Sequence, residues 1–208
     1  MQLINKESIR KTFVHTWYVY PLLIGFVTFL WIWAFAAFHQ PSAHQKLSLF
    51  FASKVNDKKF VNPIMKHYQR EDLREVDVQS AYPDHTNVAY YQKLKIYVEK
   101  GDLLILDDYS VTLCRNYLYN LTDEVKETYL NPDCSYYTYE EEETTYYYGV
   151  LLKNKNEEHY LSKYMNFDEK SNYYICVPTG SVNAGILRGK NNAKYDNALT
   201  FMQYLLEL

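Results

Sequence analysis

The chain has 208 residues and a formal net charge of −3, with 23 tyrosines and 3 cysteines. No basic cluster accompanies this acidic balance, which excludes the electrostatic footprint of a nucleic-acid-binding protein. An odd number of widely spaced cysteines excludes a disulfide framework, although one bridge between two of them stays open outside a cell.

The first predicted element is a membrane-spanning helix. Residues 17–38, WYVYPLLIGFVTFLWIWAFAAF, contain no charged side chain. As a helix they would extend about 33 Å, which is enough to cross the hydrocarbon core of a bilayer. Aromatic residues near both ends are typical of the membrane–water interface. We therefore predict a transmembrane helix over residues 17–38 that contacts membrane lipid.

The short segment before this helix sets the expected orientation. Within residues 1–16, Lys6, Arg10 and Lys11 outnumber Glu7. The positive-inside rule then makes residues 1–16 a cytoplasmic tail and puts the C-terminal part outside the cell. The predicted location is the cell membrane, with a single pass.

A cleaved signal peptide is the alternative for the same segment. The residues Ala34 and Ala36 have the small-x-small spacing of a cleavage site, but the apolar run is longer than a signal peptide usually has. We expect an uncleaved anchor. Residues 39–45 form a short polar linker, and residues 46–208 form the predicted extracellular domain.

The domain begins with alternating strands and helices. Residues 46–53, KLSLFFAS, form a nearly continuous apolar run that predicts a buried strand. Apolar residues at helical spacing predict a helix over residues 56–70, and alternation at Val76 and Val78 predicts a second strand.

A second helix and a third strand follow. In the predicted helix one face is formed by Val88, Tyr91, Leu94 or Lys95, and Val98, and Thr86 or Asn87 is the N-cap. Its predicted end is Gly101 in the left-handed conformation. Strand, helix, strand, helix, strand with short connections predicts an α/β fold with a mainly parallel sheet.

Ligands of open α/β sheets bind beyond the carboxyl ends of the strands. Four polar or aromatic residues follow predicted strands and are the candidate ligand-binding residues: Ser53, Tyr82, Asp108 and Tyr109.

The later part of the chain predicts a hairpin, a strand and a helix. The acidic run Glu140 to Glu143 separates two predicted strands and is expected to be a solvated turn. Residues 172–185 predict a strand and a turn-rich loop, and residues 194–207 predict a terminal amphipathic helix. No phosphate loop, dinucleotide fingerprint, nucleophile elbow or zinc spacing occurs. We expect no catalytic residue, no metal and no cofactor.

The order of these segments resembles the extracellular solute-binding proteins of sugar-type ABC importers. The resemblance is carried by KLSLFFAS, EVDVQSAY, YYQKLKIYVEKGD and LLILDDYS, and later by YYICVPTGSVNAG and DNALTFMQYLLEL. It implies one three-layer lobe similar to a lobe of a type II periplasmic binding protein. The family normally has about twice this length, so the second lobe that closes over a ligand would be missing.

These expectations combine into two hypotheses of different class. The first is a membrane-anchored binding or docking module that associates with a transporter permease and contacts a small solute such as a sugar. The alternative is a non-catalytic structural subunit of a membrane assembly, because tyrosine is favoured at protein interfaces.

Overall fold

The computed structural model describes residues 14, 16–55, 62, 64, 66, 68, 70, 73–190 and 195–208. These residues belong to two compact units, Met1–Gln40 and Pro41–Leu208. Most of the predicted cytoplasmic tail and most of the predicted helix over residues 56–70 lie outside the described residues.

The first unit contains one long helix, α1 (Val19–His39). None of its residues is buried, and it is long and apolar enough to cross a membrane. It begins two residues later than predicted, and Pro21 lies in its first turn, where no intrahelical N–H bond is lost. The same length and composition suit either a membrane anchor or a signal sequence.

The second unit is an α/β domain. Its described strands are β1 (Lys46–Phe51), β2 (Lys54–Val55), β3 (Glu75–Ser80), β4 (Leu103–Asp107), β5 (Tyr136–Glu141), β6 (Thr144–Lys153), β7 (Met165–Asn166) and β8 (Tyr173–Cys176). Its described helices of known extent are α2 (Val88–Lys100), α3 (Asp108–Cys114), α4 (Asp123–Tyr129) and α5 (Asn197–Leu206). Six strands form one sheet in the order β3-β1-β4-β8-β6-β5, and β2 pairs with β7.

The three strands predicted to be parallel neighbours are confirmed. Strand β1 lies between β3 and β4 and runs parallel to both, with Leu49 opposite Val78 and Leu103. The remaining pairings of the sheet are antiparallel. Strand β8 runs antiparallel to both β4 and β6, and β5 and β6 form a hairpin. The sheet is therefore mixed, and the expectation of a mainly parallel sheet was wrong for this half.

The sheet is covered on both faces, as the apolar strand sequences require. On one face Leu49 and Ile105 belong to a cluster that includes Phe201 of α5. On the other face Phe50 and Leu104 belong to a cluster that includes Leu94 of α2. Adjacent residues of one strand thus serve two separate cores.

Helix α2 differs from its prediction in detail. The buried face consists of Tyr90, Leu94 and Val98, whereas Val88 is 68% exposed. The expected cap is Asn87, whose side chain accepts a hydrogen bond from the Ala89 N–H at 2.9 Å.

Gly101 ends α2 but is not left-handed, since its φ is −77°. Its lack of a side chain has another cause. A Cβ atom at this position would lie 2.5 Å from the carbonyl oxygen of Tyr97.

The acidic run forms the turn that its sequence predicts, and the cysteines form no disulfide bridge. Glu142 and Glu143 form the turn between β5 and β6, and both have a positive φ, of 48° and 68°. The three cysteines are free. Burial raises the pKa of the Cys114 thiol to about 12 and also raises that of Cys176, so these two are inert packing residues.

A buried carboxylate fastens the amino-terminal end of the sheet. Asp102 precedes β4 and accepts hydrogen bonds from the Ser48 N–H at 2.9 Å and the Ser181 hydroxyl at 2.8 Å. In the same loop, the Asn183 amide donates to the carbonyl oxygens of Ala43 and Lys46. The segment that enters the domain is thereby held to the loop that follows β8.

Burial raises the pKa of Asp102, and its hydrogen bonds only partly offset this effect. The stability associated with the protonated group is therefore present at low pH and is lost as pH rises through the folded-state pKa. We expect the free energy of unfolding of the wild type, relative to Asp102→Asn, to rise as pH falls from 7 towards 4. Urea denaturation of the full chain in detergent at several pH values measures this difference.

Asp123→Asn is the control for the loss of an exposed carboxylate, because the Asp123 side chain is 90% exposed. A flat profile for Asp102→Asn would contradict the assignment.

Candidate functional site

The carboxyl ends of β3, β1 and β4 bring together residues that are distant in sequence. Backbone bonds continue one residue past β1 and β3, from Ala52 N–H to the Ile105 oxygen and from Ala81 N–H to the Phe51 oxygen. The last pairs of the two ladders join Phe51 to Ser80 and to Ile105, so Tyr82, Ser53 and Asp107 form a row of residues at or just beyond the ends of three adjacent strands.

Strand β8 adds a tyrosine to this row. Tyr173 pairs with Asp107 and is fully buried. Its hydroxyl accepts a hydrogen bond from the Asp168 N–H at 3.0 Å. Burial raises the pKa of Tyr173, and the nearby charge of Asp107 adds to the effect, so the phenol is neutral.

A histidine from the loop before α2 reaches the buried aspartate. The His85 Nε2 atom lies 3.0 Å from Asp107 Oδ2, and the Asp107 side chain is only 4% exposed. The Tyr91 hydroxyl donates to the His85 carbonyl oxygen at 2.7 Å, which holds the loop against α2. Asp107 precedes α3, but its side chain does not cap that helix.

Three buried polar atoms in this region have no hydrogen-bond partner within the described part of the chain: Ser53 Oγ, Asp107 Oδ1 and His85 Nδ1. Leaving such atoms unpaired costs about 1–3 kcal/mol each, and most buried polar atoms in proteins are paired. All three atoms are shielded from solvent, so a solute would reach them only if neighbouring groups moved.

Aromatic rings form the outer part of the site. The Tyr109 ring lies 4.2 Å from the His85 ring and is 51% exposed. Tyr82 is 59% exposed. We call Ser53, Tyr82, His85, Asp107, Tyr109 and Tyr173 the carboxyl-edge cluster. Its polar atoms are buried, and its two accessible members are Tyr82 and Tyr109.

Of the four residues predicted from sequence, three lie in the cluster: Ser53, Tyr82 and Tyr109. The fourth, Asp108, has a different task, because its carboxylate accepts hydrogen bonds from the backbone and side-chain amides of Asn172 at 2.9 and 3.4 Å. It fastens the chain just before β8, with one of these hydrogen bonds on each oxygen.

Sequence reasoning missed Asp107 and His85. Strand alternation would have found Asp107, since it follows Leu103 and Ile105 on one face of β4. No local signal identifies His85, which sits in a loop between Asp84 and Thr86 and meets Asp107 only through the fold.

Ser53, His85 and Asp107 are not joined in one hydrogen-bonded chain. A nucleophilic serine needs a hydrogen bond to its base, and Ser53 Oγ makes none with His85. No group of three or more metal-binding side chains occurs among the residues whose placement is described. The arrangement suits binding by hydrogen bonds and ring stacking.

No protein-family model matches this chain, and no curated protein or solved structure shows significant similarity to it. The site must therefore be interpreted from its own geometry.

Substitutions at Ser53 and Ser110 test whether the unpaired atoms of the cluster lower the free energy of unfolding. Ser53→Ala removes an unpaired buried hydroxyl, so we expect the free energy of unfolding to stay unchanged or to rise by about 1 kcal/mol. Ser110→Ala is the matched control, because the Ser110 hydroxyl bonds the buried Tyr90 hydroxyl at 2.5 Å.

The control should lower the free energy of unfolding by about 1–3 kcal/mol, since it leaves the Tyr90 hydroxyl unpaired. Chemical denaturation of the two variants measures both values. Equal losses would mean that Ser53 is an ordinary, satisfied core residue.

Proposed function

We propose that this chain is a membrane-anchored extracellular binding or docking module that resembles one lobe of a solute-binding protein. The carboxyl-edge cluster is its contact site for a small polar solute such as a sugar. The observation that carries this proposal is the pair of unpaired buried atoms, Ser53 Oγ and Asp107 Oδ1, at the carboxyl end of adjacent parallel strands.

The chemistry of the cluster supports solute binding. Carboxylate and hydroxyl oxygens accept hydrogen bonds from a polar solute, and the exposed rings of Tyr82 and Tyr109 can stack on its apolar faces. A binding site at this edge is also where open α/β sheets hold their ligands.

A single lobe limits how tightly a solute is held. Tight small-molecule sites bury most of the ligand, and hinge closure needs a second body. We therefore propose that affinity is completed by a partner, such as a transporter permease, that covers the accessible rings.

Solute binding should depend on the unpaired carboxylate. We expect a panel of neutral and charged solutes to contain at least one that raises the melting temperature of the full chain in detergent. Asp107→Asn should remove most of this shift, whereas the exposed control Asp123→Asn should keep it. No shift with any solute would leave only the docking form of the proposal.

The anchor and its orientation are tested separately. We expect the chain to remain in the membrane after alkaline extraction, with a C-terminal epitope open to protease from outside and an N-terminal epitope protected. The physical reason is the uncharged 21-residue helix α1 following a net-positive segment. A shortened chain released into the medium would instead assign α1 to a signal sequence.

The second candidate function, a structural subunit of a membrane assembly, is favoured by the tyrosine-rich hairpin β5–β6. There the Arg115 guanidinium lies 3.8 Å over the Tyr139 ring, and Tyr146 stacks with Tyr148 at 6.0 Å. Such an arginine and tyrosine surface is typical of interfaces. Stoichiometric co-purification of a partner with wild type, lost on Tyr139→Ala, would favour this function over solute binding.

A further inference from the structure

A polar cavity lies at the carboxyl end of β6, and none of the residues of the carboxyl-edge cluster lines it. Its volume is about 290 Å³, at the small end of the range for ligand pockets. It is formed by the end of β6, the loop that follows β6, and residues 133–135. Its ionisable lining residues are Asp133, Cys134, Lys153, Glu157, Glu158 and His159.

The lysine that lines this cavity is almost completely buried. Lys153 is only 5% exposed, whereas lysines buried to this extent are normally paired with an opposite charge. Its ammonium donates one hydrogen bond, to the Asn154 carbonyl oxygen at 3.0 Å, and it forms no ion pair within the described part of the chain. Because burying an unpaired charge is costly, an anionic group in the cavity would stabilise this ammonium.

A histidine beside Lys153 supplies a second donor. Burial lowers the pKa of the His159 imidazole, and the nearby charge of Lys153 lowers it further, so the ring is neutral at pH 7. The Nδ1 atom accepts a hydrogen bond from the Leu161 N–H at 3.2 Å, which places the ring proton on Nε2. No hydrogen bond engages Nε2 among the residues whose placement is described. Two neighbouring N–H donors suit the two oxygens of a carboxylate.

The remaining charges of the cavity have the opposite sign. Asp133, Glu157 and Glu158 line it and are exposed. One Glu157 oxygen accepts a hydrogen bond from the Asn154 side-chain amide at 3.0 Å. These carboxylates would repel a simple anion such as phosphate, and the Lys153 ammonium would repel a simple cation. A small ligand that carries both charges fits the two parts of the lining.

We propose that this cavity is a second ligand site, which binds a free α-amino acid as a zwitterion. The α-carboxylate accepts hydrogen bonds from Lys153 Nζ and His159 Nε2. The α-ammonium is held by the carboxylates of Asp133, Glu157 and Glu158. The small volume favours a single amino acid over a peptide. This site is independent of solute binding at the carboxyl-edge cluster.

The experiment tests the two charges of the ligand one at a time. Calorimetric titrations of the full chain in detergent use L-alanine as the probe. The matched comparisons are propionate, which lacks the ammonium, and ethylamine, which lacks the carboxylate. We expect L-alanine to bind and each comparison to bind about tenfold more weakly, because each loses its charge-assisted hydrogen bonds at one end.

Variants at the two ends of the ligand locate the site. Lys153→Met removes the ammonium but keeps an unbranched side chain, and it should weaken L-alanine binding about tenfold. Lys155→Met is the matched control and should leave binding unchanged, because Lys155 is an exposed lysine of the same loop that does not line the cavity. The double variant Asp133→Asn, Glu158→Gln should also weaken binding about tenfold. These two positions are exposed, which keeps the test usable if Lys153→Met fails to fold.

Four other outcomes would overturn the proposal. The first is the absence of any L-alanine binding, and the second is binding of propionate or ethylamine as tight as that of L-alanine. The third is L-alanine binding that neither Lys153→Met nor the double variant weakens. The fourth is binding that is lost on Asp107→Asn and kept in Lys153→Met, which would assign L-alanine to the carboxyl-edge cluster and support solute binding there instead.

Discussion

The domain depends on the central position of β1. This strand is hydrogen-bonded on both sides, to β3 and to β4, and it is covered on both faces by separate apolar clusters. Leu47, Leu49, Phe50 and Phe51 are all at most 1% exposed. A polar substitution in β1 would disturb one of the two cores and, with it, both ladders. Because β1 pairs with β3 and β4, it also aligns the carboxyl ends of the three strands.

The neighbouring strand β4 has a buried aspartate at each end, and the two differ in their hydrogen-bond partners. Asp102, before the strand, has partners for both oxygens in Ser48 and Ser181. Asp107, at the other end, has His85 as the partner of one oxygen, and its other oxygen has none within the described part of the chain. The first aspartate joins segments of the domain to each other. The second joins the loop before α2 to the end of β4.

Sequence patterns predicted the elements better than their pairing. Continuous apolar runs and helical spacing located the three parallel strands, α2 and the terminal helix, because these patterns depend on local burial. The antiparallel entry of β8 was missed, since four buried residues have no alternation that reveals direction. The prediction of a left-handed Gly101 was also wrong. A glycine required by a close contact cannot be told from a glycine required by a positive φ in the sequence.

The site was predictable only in position. Strands that end near Ser53 and Asp108 indicated the edge of the sheet at which the cluster lies, but not which of the two adjacent carboxylates would be buried. The helix α3 begins at Asp108, so this residue leaves the strand alternation and bonds Asn172 instead. His85 joins Asp107 through a contact between loop and strand, which no spacing rule could supply.

Both outer strands of the sheet carry carboxylates, Glu75 and Asp77 on β3 and Glu140 and Glu141 on β5. An outer strand exposes backbone groups on which another chain can polymerise, and charged side chains discourage such templating. The carboxylates of the β5–β6 hairpin therefore oppose pairing of its tyrosine-rich outer strand with another chain. Wherever many copies of the chain are crowded together, these carboxylates would keep neighbouring molecules from joining their sheets into fibrils.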